Sequence, residues 1–584
     1  MTKAINFSKL FISLALLLLL GQFVLQISLA RFDSQTTDEA VHLSAGYTYL
    51  TRRDFRYNPE HPILIKALCA VPLLFVDIKH PSDEQKLWDD SRGFFFDSWW
   101  QNRTYGEKLL YSSSNDAERI LFWGRLPVVF LTLILGLSIL YFARKLYSSA
   151  GALVAVALYS LNPVVNAHGH LITTDIAIAL GFFLSTIAAL YFFKKRNFRN
   201  FIFLTLALVF SALVKYTAVI LIPTIVALFI YSCIAGFIER GKRVKTFLFI
   251  ILLFALTWAL VFAAYGFKID QIPPVDSISD TWAKENYPQK QVEVTSNRQT
   301  FDKALRFAAP VLLPRDYFKG LFMVLTHAGG GHDSFLLGKV SNSGWWYYFP
   351  VVFVAKNPIP ALVLIGLGFW AIAKTKDDRK EGLFILTSAL IYLLFAMSSK
   401  ANLGVRHILP IFPLLFLGAA SLARLKLKIL RIVIILLIAW LVFESISAFP
   451  YYLSYFNQLF GGRQNGYRVA SDSNLDWGRD LKEIAEYLQI NSLEKVYIDY
   501  DWNGASSLKY YGITAKVAKN LKPSDKGYLV IGGSKLDSPE YDWLDSYEVY
   551  DKITPSVFVY KIDQQVIPSA PTGKTRDLSA GHRE

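Results

Sequence analysis

The chain has 584 residues, 53% of them hydrophobic and 15% aromatic, above the roughly 45 to 50% apolar content of soluble domains, which excludes an ordinary soluble globular protein. A formal net charge of +15 would suggest nucleic acid in a soluble chain, but much of the excess sits in short loops between apolar runs, and that reading falls away. The two cysteines, Cys69 and Cys233, lie in apolar segments without metal or redox spacing, so neither a disulfide nor a metal thiolate is expected.

Stretches of roughly 20 apolar residues can cross a hydrocarbon core of about 30 Å as helices, because a helix satisfies its own backbone in lipid. The first such run follows Lys3 and Lys9 and ends in Ser28-Leu29-Ala30, which also fits a signal-peptidase site. Its length favours a retained anchor, since signal peptides carry apolar cores of about 7 to 15 residues. Spans are read at 8–29, 120–142, 149–168, 175–193, 200–214, 216–238, 246–267, 358–374, 382–398, 408–423 and 429–448. The expected fold is an all-α polytopic membrane protein of about eleven transmembrane helices.

With the N-terminus inside, the loops that hold Arg144 and Lys145, Lys194 to Arg199, Arg240 to Lys245, Lys374 to Lys380 and Arg424 to Arg431 are all cytoplasmic. That is the positive-inside pattern. Three long segments, 30–118, 268–346 and 449–584, then fall on the outer side. The first contains the apolar patch His61 to Phe75, too short and too proline-bounded to span, which reads as an interfacial or re-entrant helix. The C-terminal region alternates a helical run at 480–488 with strand-like runs at 495–500, 527–531 and 557–562, so a small extracytoplasmic α/β domain is expected from about residue 479. The polar stretch 566–584 reads as a disordered tail.

Chemistry is expected in the outer segments. Thr36-Thr37-Asp38-Glu39-Ala40-Val41-His42 follows the first span directly. Adjacent carboxylates there can hold a metal, orient a hydroxyl or remove its proton, although for the pair in isolation a solvated loop with a helix cap at Thr37 or Asp38 is the favoured reading. Asn58-Pro59-Glu60-His61-Pro62 places Glu60 and His61 on a proline-stiffened turn at the membrane boundary. Asp175 follows His168-Gly169-His170-Leu171-Ile172-Thr173-Thr174 between two spans, where an unpaired carboxylate is costly and a functional role is favoured over a cap. Arg125 within the second span, Lys215 at a break between short spans and Arg406-His407 at the start of the tenth are cations at a similar depth. Each alone reads as a snorkelling anchor; together they call for an anionic partner such as a lipid phosphate. The glycine run Ala328 to Asp333 lacks the ending of a nucleotide loop, and Gly344 to Pro350 has an interface-belt composition. Asp472-Ser473-Asn474-Leu475-Asp476-Trp477-Gly478 is a polar outer loop with no role evident from sequence.

In combination these elements resemble the prokaryotic branch of the protein O-mannosyltransferase and aminoarabinose transferase superfamily, membrane glycosyltransferases of GT-C type. The resemblance rests on Asp38-Glu39 with His42, on Glu60-His61-Pro62-Ile63-Leu64-Ile65-Lys66, on Thr173-Thr174-Asp175, on Arg125, and on Asn402 to Pro410. Ile63 stands where the family pattern has a second proline, and segment 268–346 is too short for the β-trefoil module of the eukaryotic enzymes. The resemblance implies inverting transfer of a sugar, mannose or a similar hexose or pentose, from a polyprenyl-phosphate carrier to a protein, lipid or glycan acceptor. It implies Asp38 as the base with Glu39 in support, and Glu60 and Asp175 shaping the acceptor position, with His61 and His42 nearby. Arg125, Lys215, Arg406, His407 and Lys66 would hold the donor phosphate. A divalent cation is compatible with the carboxylates, but no His/Cys cluster demands one. A secondary transporter or flippase is the alternative from another class. Its charged site would sit near the midplane, whereas the polar residues here gather toward one face.

Overall fold

The computed structural model describes residues 7–562 except 56, 84–85, 88–96, 112–113, 268–313, 377, 426, 501–503, 519–520 and 523. The tail expected at 566–584 and much of segment 268–346 lie outside the described residues. Each of the eleven predicted apolar runs is helical. Among the described residues eight helices are long and apolar enough to cross a membrane, and the bent pair Tyr348–Lys356 and Ile359–Lys374 would make a ninth. This is a multi-pass membrane protein.

Two of the eleven runs form short helices, and only the first of these falls short of its expected length. Ser149–Ser160 has 12 residues, about 18 Å of helix against a core of about 30 Å. It stops because Pro163 opens the next short helix, Pro163–His168, and the Asn162 side chain accepts from the amides of Val164 and Val165. Phe198–Val214 has 17 residues and ends at Lys215, whose backbone is extended (φ −151°). The patch after Pro62 forms the helix Ile63–Ala70 and a 3-10 turn, Val71–Phe75. It is short, as read from the sequence, and leaves Leu74 and Phe75 exposed.

The chain divides into two compact units. One comprises residues 40–124 and 184–327. Here the turn before Ile63 is packed tightly: the Tyr216 hydroxyl donates to the Pro59 carbonyl at 3.1 Å. A Cβ on Gly320 would lie 1.8 Å from that carbonyl oxygen, so only glycine fits. Around it Tyr216, Tyr265 and Tyr317 form edge-to-face pairs 4.9 and 5.7 Å apart.

The other unit comprises residues 1–39, 125–183 and 328–584. Its first helix, Phe7–Phe32, packs on Ser149–Ser160. Gly136 lets the second span approach both, since a Cβ there would meet Leu19 at 2.5 Å and Tyr159 at 2.9 Å. The C-terminal domain is a five-stranded sheet of order β4-β3-β5-β7-β6. Its strands are β3 Val496–Asp499, β4 Lys516–Val517, β5 Tyr528–Gly532, β6 Val549–Thr554 and β7 Val557–Lys561. Pairing is parallel among β3, β4 and β5 and antiparallel around β7. Leu481 and Ile484 of the helix Leu481–Asn491 cover one face with Val496, Ile498, Val530 and Val559. Leu536, Tyr541 and Leu544 cover the other, over Leu529, Ile531 and Phe558. A hairpin, β1 Ser334–Leu336 with β2 Lys339–Ser341, bridges onto Ala470 just before the polar loop.

Candidate functional site

The site is built where the first helix ends. Past Phe32 the chain turns through Asp33 to Thr37, and Arg125 holds that turn. Its Nη1 donates to the carbonyls of Ala30 (2.9 Å) and Asp33 (2.7 Å), and its Nη2 to that of Ser34 (2.7 Å). Its Nε and Nη2 also grip the Glu39 carboxylate at 2.8 and 2.6 Å. Glu39 further accepts from the amides of Thr36 (2.9 Å) and Ile172 (3.0 Å). A guanidinium has five N–H donors, and all five of Arg125 are engaged. Arg125, expected to hold the donor phosphate, directs these donors at the turn and at Glu39. Glu39 is likewise fully buried. Burial alone would raise its carboxyl, but the Arg125 charge and the hydrogen bonds outweigh that and hold it below the usual range.

The same turn is tied to the segment before Asp175 and to the C-terminal region. His170 bonds through Nε2 to Asp33 (2.8 Å) and through Nδ1 to Gln26 (3.0 Å). Asn166 accepts from Gln22 (3.0 Å) and Gln26 (3.1 Å), which stand one helical turn apart. Arg479 reaches Asp33 at 3.3 Å. Asp33 is pulled upward by burial, yet the Arg479 charge and the His170 bond keep it below the ordinary carboxylate range.

Held in this frame, three of the predicted residues come together. Arg406 Nη1 lies 3.3 Å from Asp38 Oδ2 and 3.8 Å from Asp175 Oδ2. Its Nε donates to Ser473 Oγ at 3.0 Å, and its guanidinium lies 4.0 Å over the Trp477 ring. No hydrogen bond engages its Nη2 amino group among the described residues. Asp175, the first residue of Asp175–Lys194, is buried, whereas the Asp38 side chain is 28% exposed. His407 follows in the same 3-10 turn, and its carbonyl accepts from the Tyr392 hydroxyl at 3.0 Å.

The loop Asp472 to Gly478, without a role in the sequence reading, supplies Ser473 and Trp477 to this site. The Trp477 carbonyl accepts from the Thr37 amide at 3.0 Å, and Asn474 Oδ1 accepts from the Val405 amide at 2.9 Å. Asp476 accepts from the Ser534 amide and hydroxyl at 3.2 and 2.9 Å, which fastens the loop to the sheet domain. The adjacent Asp and Trp in that polar stretch were the only sequence signal.

In the other unit Lys66 is fully buried, and its Nζ donates to Asn58 O, to Asn58 Oδ1 (3.3 Å) and to His61 O (2.7 Å). Lys66, expected to help hold the donor phosphate, thus caps the Asn58 to His61 turn with three donors on three oxygens. His61 packs edge-on against His42 with ring centroids 5.2 Å apart. Glu60 lies in the same turn, and Lys215 is buried beside Tyr216.

Among the described residues no group of three or more His, Cys, Asp and Glu side chains is placed to hold a metal ion. Asp38 and Asp175 face a guanidinium instead, so the residues as arranged do not fit a cation.

Residues 120–264, about a quarter of the chain, match the family model described as dolichyl-phosphate-mannose-protein mannosyltransferase. Over that segment the match bears out the resemblance to GT-C membrane glycosyltransferases. Among solved structures the chain is similar to ArnT from Cupriavidus metallidurans bound to undecaprenyl phosphate, at 12% identity and TM-score 0.43, covering 97% of this chain and 100% of that one. It is also similar to the apo oligosaccharyltransferase of Archaeoglobus fulgidus, at 11% identity and TM-score 0.46, covering 95% and 75%. These distant likenesses carry no argument about the site. No curated protein matches the chain.

Proposed function

We propose that this protein transfers a sugar from a polyprenyl-phosphate carrier to an extracytoplasmic protein, lipid or glycan acceptor, with inversion at the anomeric carbon. One observation carries the reading: a partly exposed carboxylate, Asp38, stands 3.3 Å from a guanidinium, Arg406, that keeps hydrogen-bond donors in reserve. In the proposed step the acceptor hydroxyl attacks the anomeric carbon, its proton passes to Asp38, and the bond to the phosphate oxygen breaks. The polyprenyl phosphate departs with its charge stabilised by the Nη2 donors of Arg406. A phosphate of low basicity needs charge stabilisation at that moment more than it needs a protonating acid. Asp175 orients Arg406 from the buried side, and Trp477 sets the plane of the guanidinium. Glu60, His61, His42 and Lys215 remain candidates in their own unit, each open to separate substitution.

The experiment is transfer by purified protein in lipid nanodiscs, supplied with labelled polyprenyl-phosphate sugars and membrane extract, followed by identification of the labelled product. Asp38→Asn should lower kcat by about a hundred- to ten-thousandfold at unchanged folding. Undiminished transfer by that variant removes Asp38 from the role of base. Absence of transfer from every such donor by the wild type overturns the whole reading.

A further inference from the structure

The segment that leads to Asp175 is almost fully hydrogen-bonded. Asn162 caps two amides and donates to Asn357 at 2.7 Å, Asn166 bonds both glutamines and the Ser160 carbonyl, and both ring nitrogens of His170 are used. The Gly169 carbonyl accepts from the Thr132 hydroxyl at 2.7 Å. Two groups are exceptions. Both ring nitrogens of His168 and the hydroxyl of Thr173 are buried and have no hydrogen-bond partner among the described residues. A buried polar atom without a partner is destabilising, and His168 carries two such atoms.

The position of His168 relates that unmet capacity to the site. Its ring meets the Trp477 ring edge to face, centroids 6.1 Å apart, and Trp477 carries the Arg406 guanidinium. Of the charges acting on the ring, Asp175 acts most strongly, followed by Arg406 and Lys356. His168, Asp175, Arg406 and Trp477 thus enclose one locality.

The chemistry of the ring narrows what it would meet. Full burial with no hydrogen-bonded carboxylate favours the neutral imidazole, which has one donor and one acceptor. A phosphate only accepts, so it would leave the acceptor nitrogen unmet. A hydroxyl both donates and accepts, and a sugar presents several on one ring.

We propose that His168 is a specificity-determining residue that hydrogen-bonds a hydroxyl of the glycosyl unit while that unit is carried on the lipid phosphate. The assignment rests on the proposed transfer reaction. Arg406 then recognises the phosphate that all donors share, and His168 the sugar by which they differ.

The test compares full-length wild type, His168→Phe and His168→Gln in nanodiscs. Each is titrated with sugar-free undecaprenyl phosphate and with undecaprenyl phosphate carrying mannose, glucose or aminoarabinose, alongside steady-state transfer. The wild type should bind at least one glycosylated carrier more tightly than the sugar-free lipid. His168→Phe, of similar size and apolar, should lose that preference by about three- to tenfold, the worth of one neutral hydrogen bond. Its affinity for the sugar-free lipid should not change, and His168→Gln, which keeps a donor and an acceptor, should recover part of the loss. A preference retained in His168→Phe, or equal weakening for both lipids, overturns this assignment while the transfer reading stands. A rise in thermal stability of His168→Phe with sugar preference intact likewise overturns it and marks the ring as a structural polar group only. No transfer by the wild type from any of the three donors, in the presence of membrane extract, overturns the transfer reading and this assignment with it.

Discussion

Arg125 and Arg406 carry the same charge in the same unit but direct their donors differently. Arg125 directs every donor at its own chain, so Arg125→Lys should remove the fork that grips Glu39 and lower thermal stability. Arg406→Lys, which keeps the charge but loses the planar fork, should instead raise the KM for the lipid-linked donor about tenfold or more at nearly wild-type stability. Steady-state kinetics beside a melting curve for each variant separates the two, and an exchanged pattern would reverse the assignment. Glu39 adds a pH signature. Its folded-state value is depressed by Arg125 and by hydrogen bonds against the pull of burial. The stability it contributes is therefore present above the unfolded value, near 4.5, and is lost as pH falls through the depressed folded value. Glu39→Gln, which leaves Arg125 buried without a counter-charge, should cost about 3 to 5 kcal/mol at neutral pH. Melting curves should show acid sensitivity in this range for the wild type and its absence in the variant.

Among the elements, the helix Leu481–Asn491 connects the site loop to the sheet and carries Glu483 in its first turn. Burial, and then the neighbouring Asp480 charge, push the Glu483 carboxyl up to about 8. A carboxyl raised on folding makes the native state bind more protons than the unfolded one between the unfolded value, about 4.5, and about 8. Stability of this domain should fall as pH rises through that window. Hydrogen exchange in β5 and β7 should show the decline, and Glu483→Gln should flatten it; an unchanged slope would remove Glu483 as its source. This helix and strands β3, β5 and β7 were legible in sequence, because amphipathic or continuous apolar runs mark them. Strand β6 was not, since Asp551 and Lys552 interrupt its pattern where it lies at the sheet edge. The site was legible to the same degree. Asp38, Asp175 and Arg406 stand out as charges in apolar surroundings, and the structure brings them together. That most donors of Arg125 and Lys66 end on backbone carbonyls was not readable, because a carbonyl leaves no mark on the residue that supplies it. Trp477 and Ser473 were hidden for a second reason: they approach Arg406 from about 70 residues further along the chain.

For the whole molecule, the proposed chemistry needs Asp38 and the C-terminal sheet domain on the side of the membrane opposite the basic loops. The loops with Lys194 to Arg199 and Arg240 to Lys245 carry the cations that the positive-inside rule keeps in the cytoplasm. The helix Phe7–Phe32 separates its own N-terminus from Asp38, and Lys428–Ala448 precedes the C-terminal region, so both crossings must agree. Agreement needs an odd number of crossings counted from the first of these helices through the last, and the eleven helical runs satisfy this if both short helices cross or if neither does. The number of spans can therefore be tested without any assay of activity. In a background with Cys69 and Cys233 replaced, single cysteines at the exposed positions Lys242 and Ser492 would report the two sides. A membrane-impermeant maleimide applied to intact cells should label Ser492→Cys at once and Lys242→Cys only after permeabilisation. Labelling of both from outside would mean that one of the five helical runs between Lys242 and Ser492 does not cross. Labelling of Lys242→Cys alone would put Asp38 on the cytoplasmic side, or mean that one short helix, Ser149–Ser160 or Phe198–Val214, does not cross, and a single cysteine at exposed Arg52 would distinguish these.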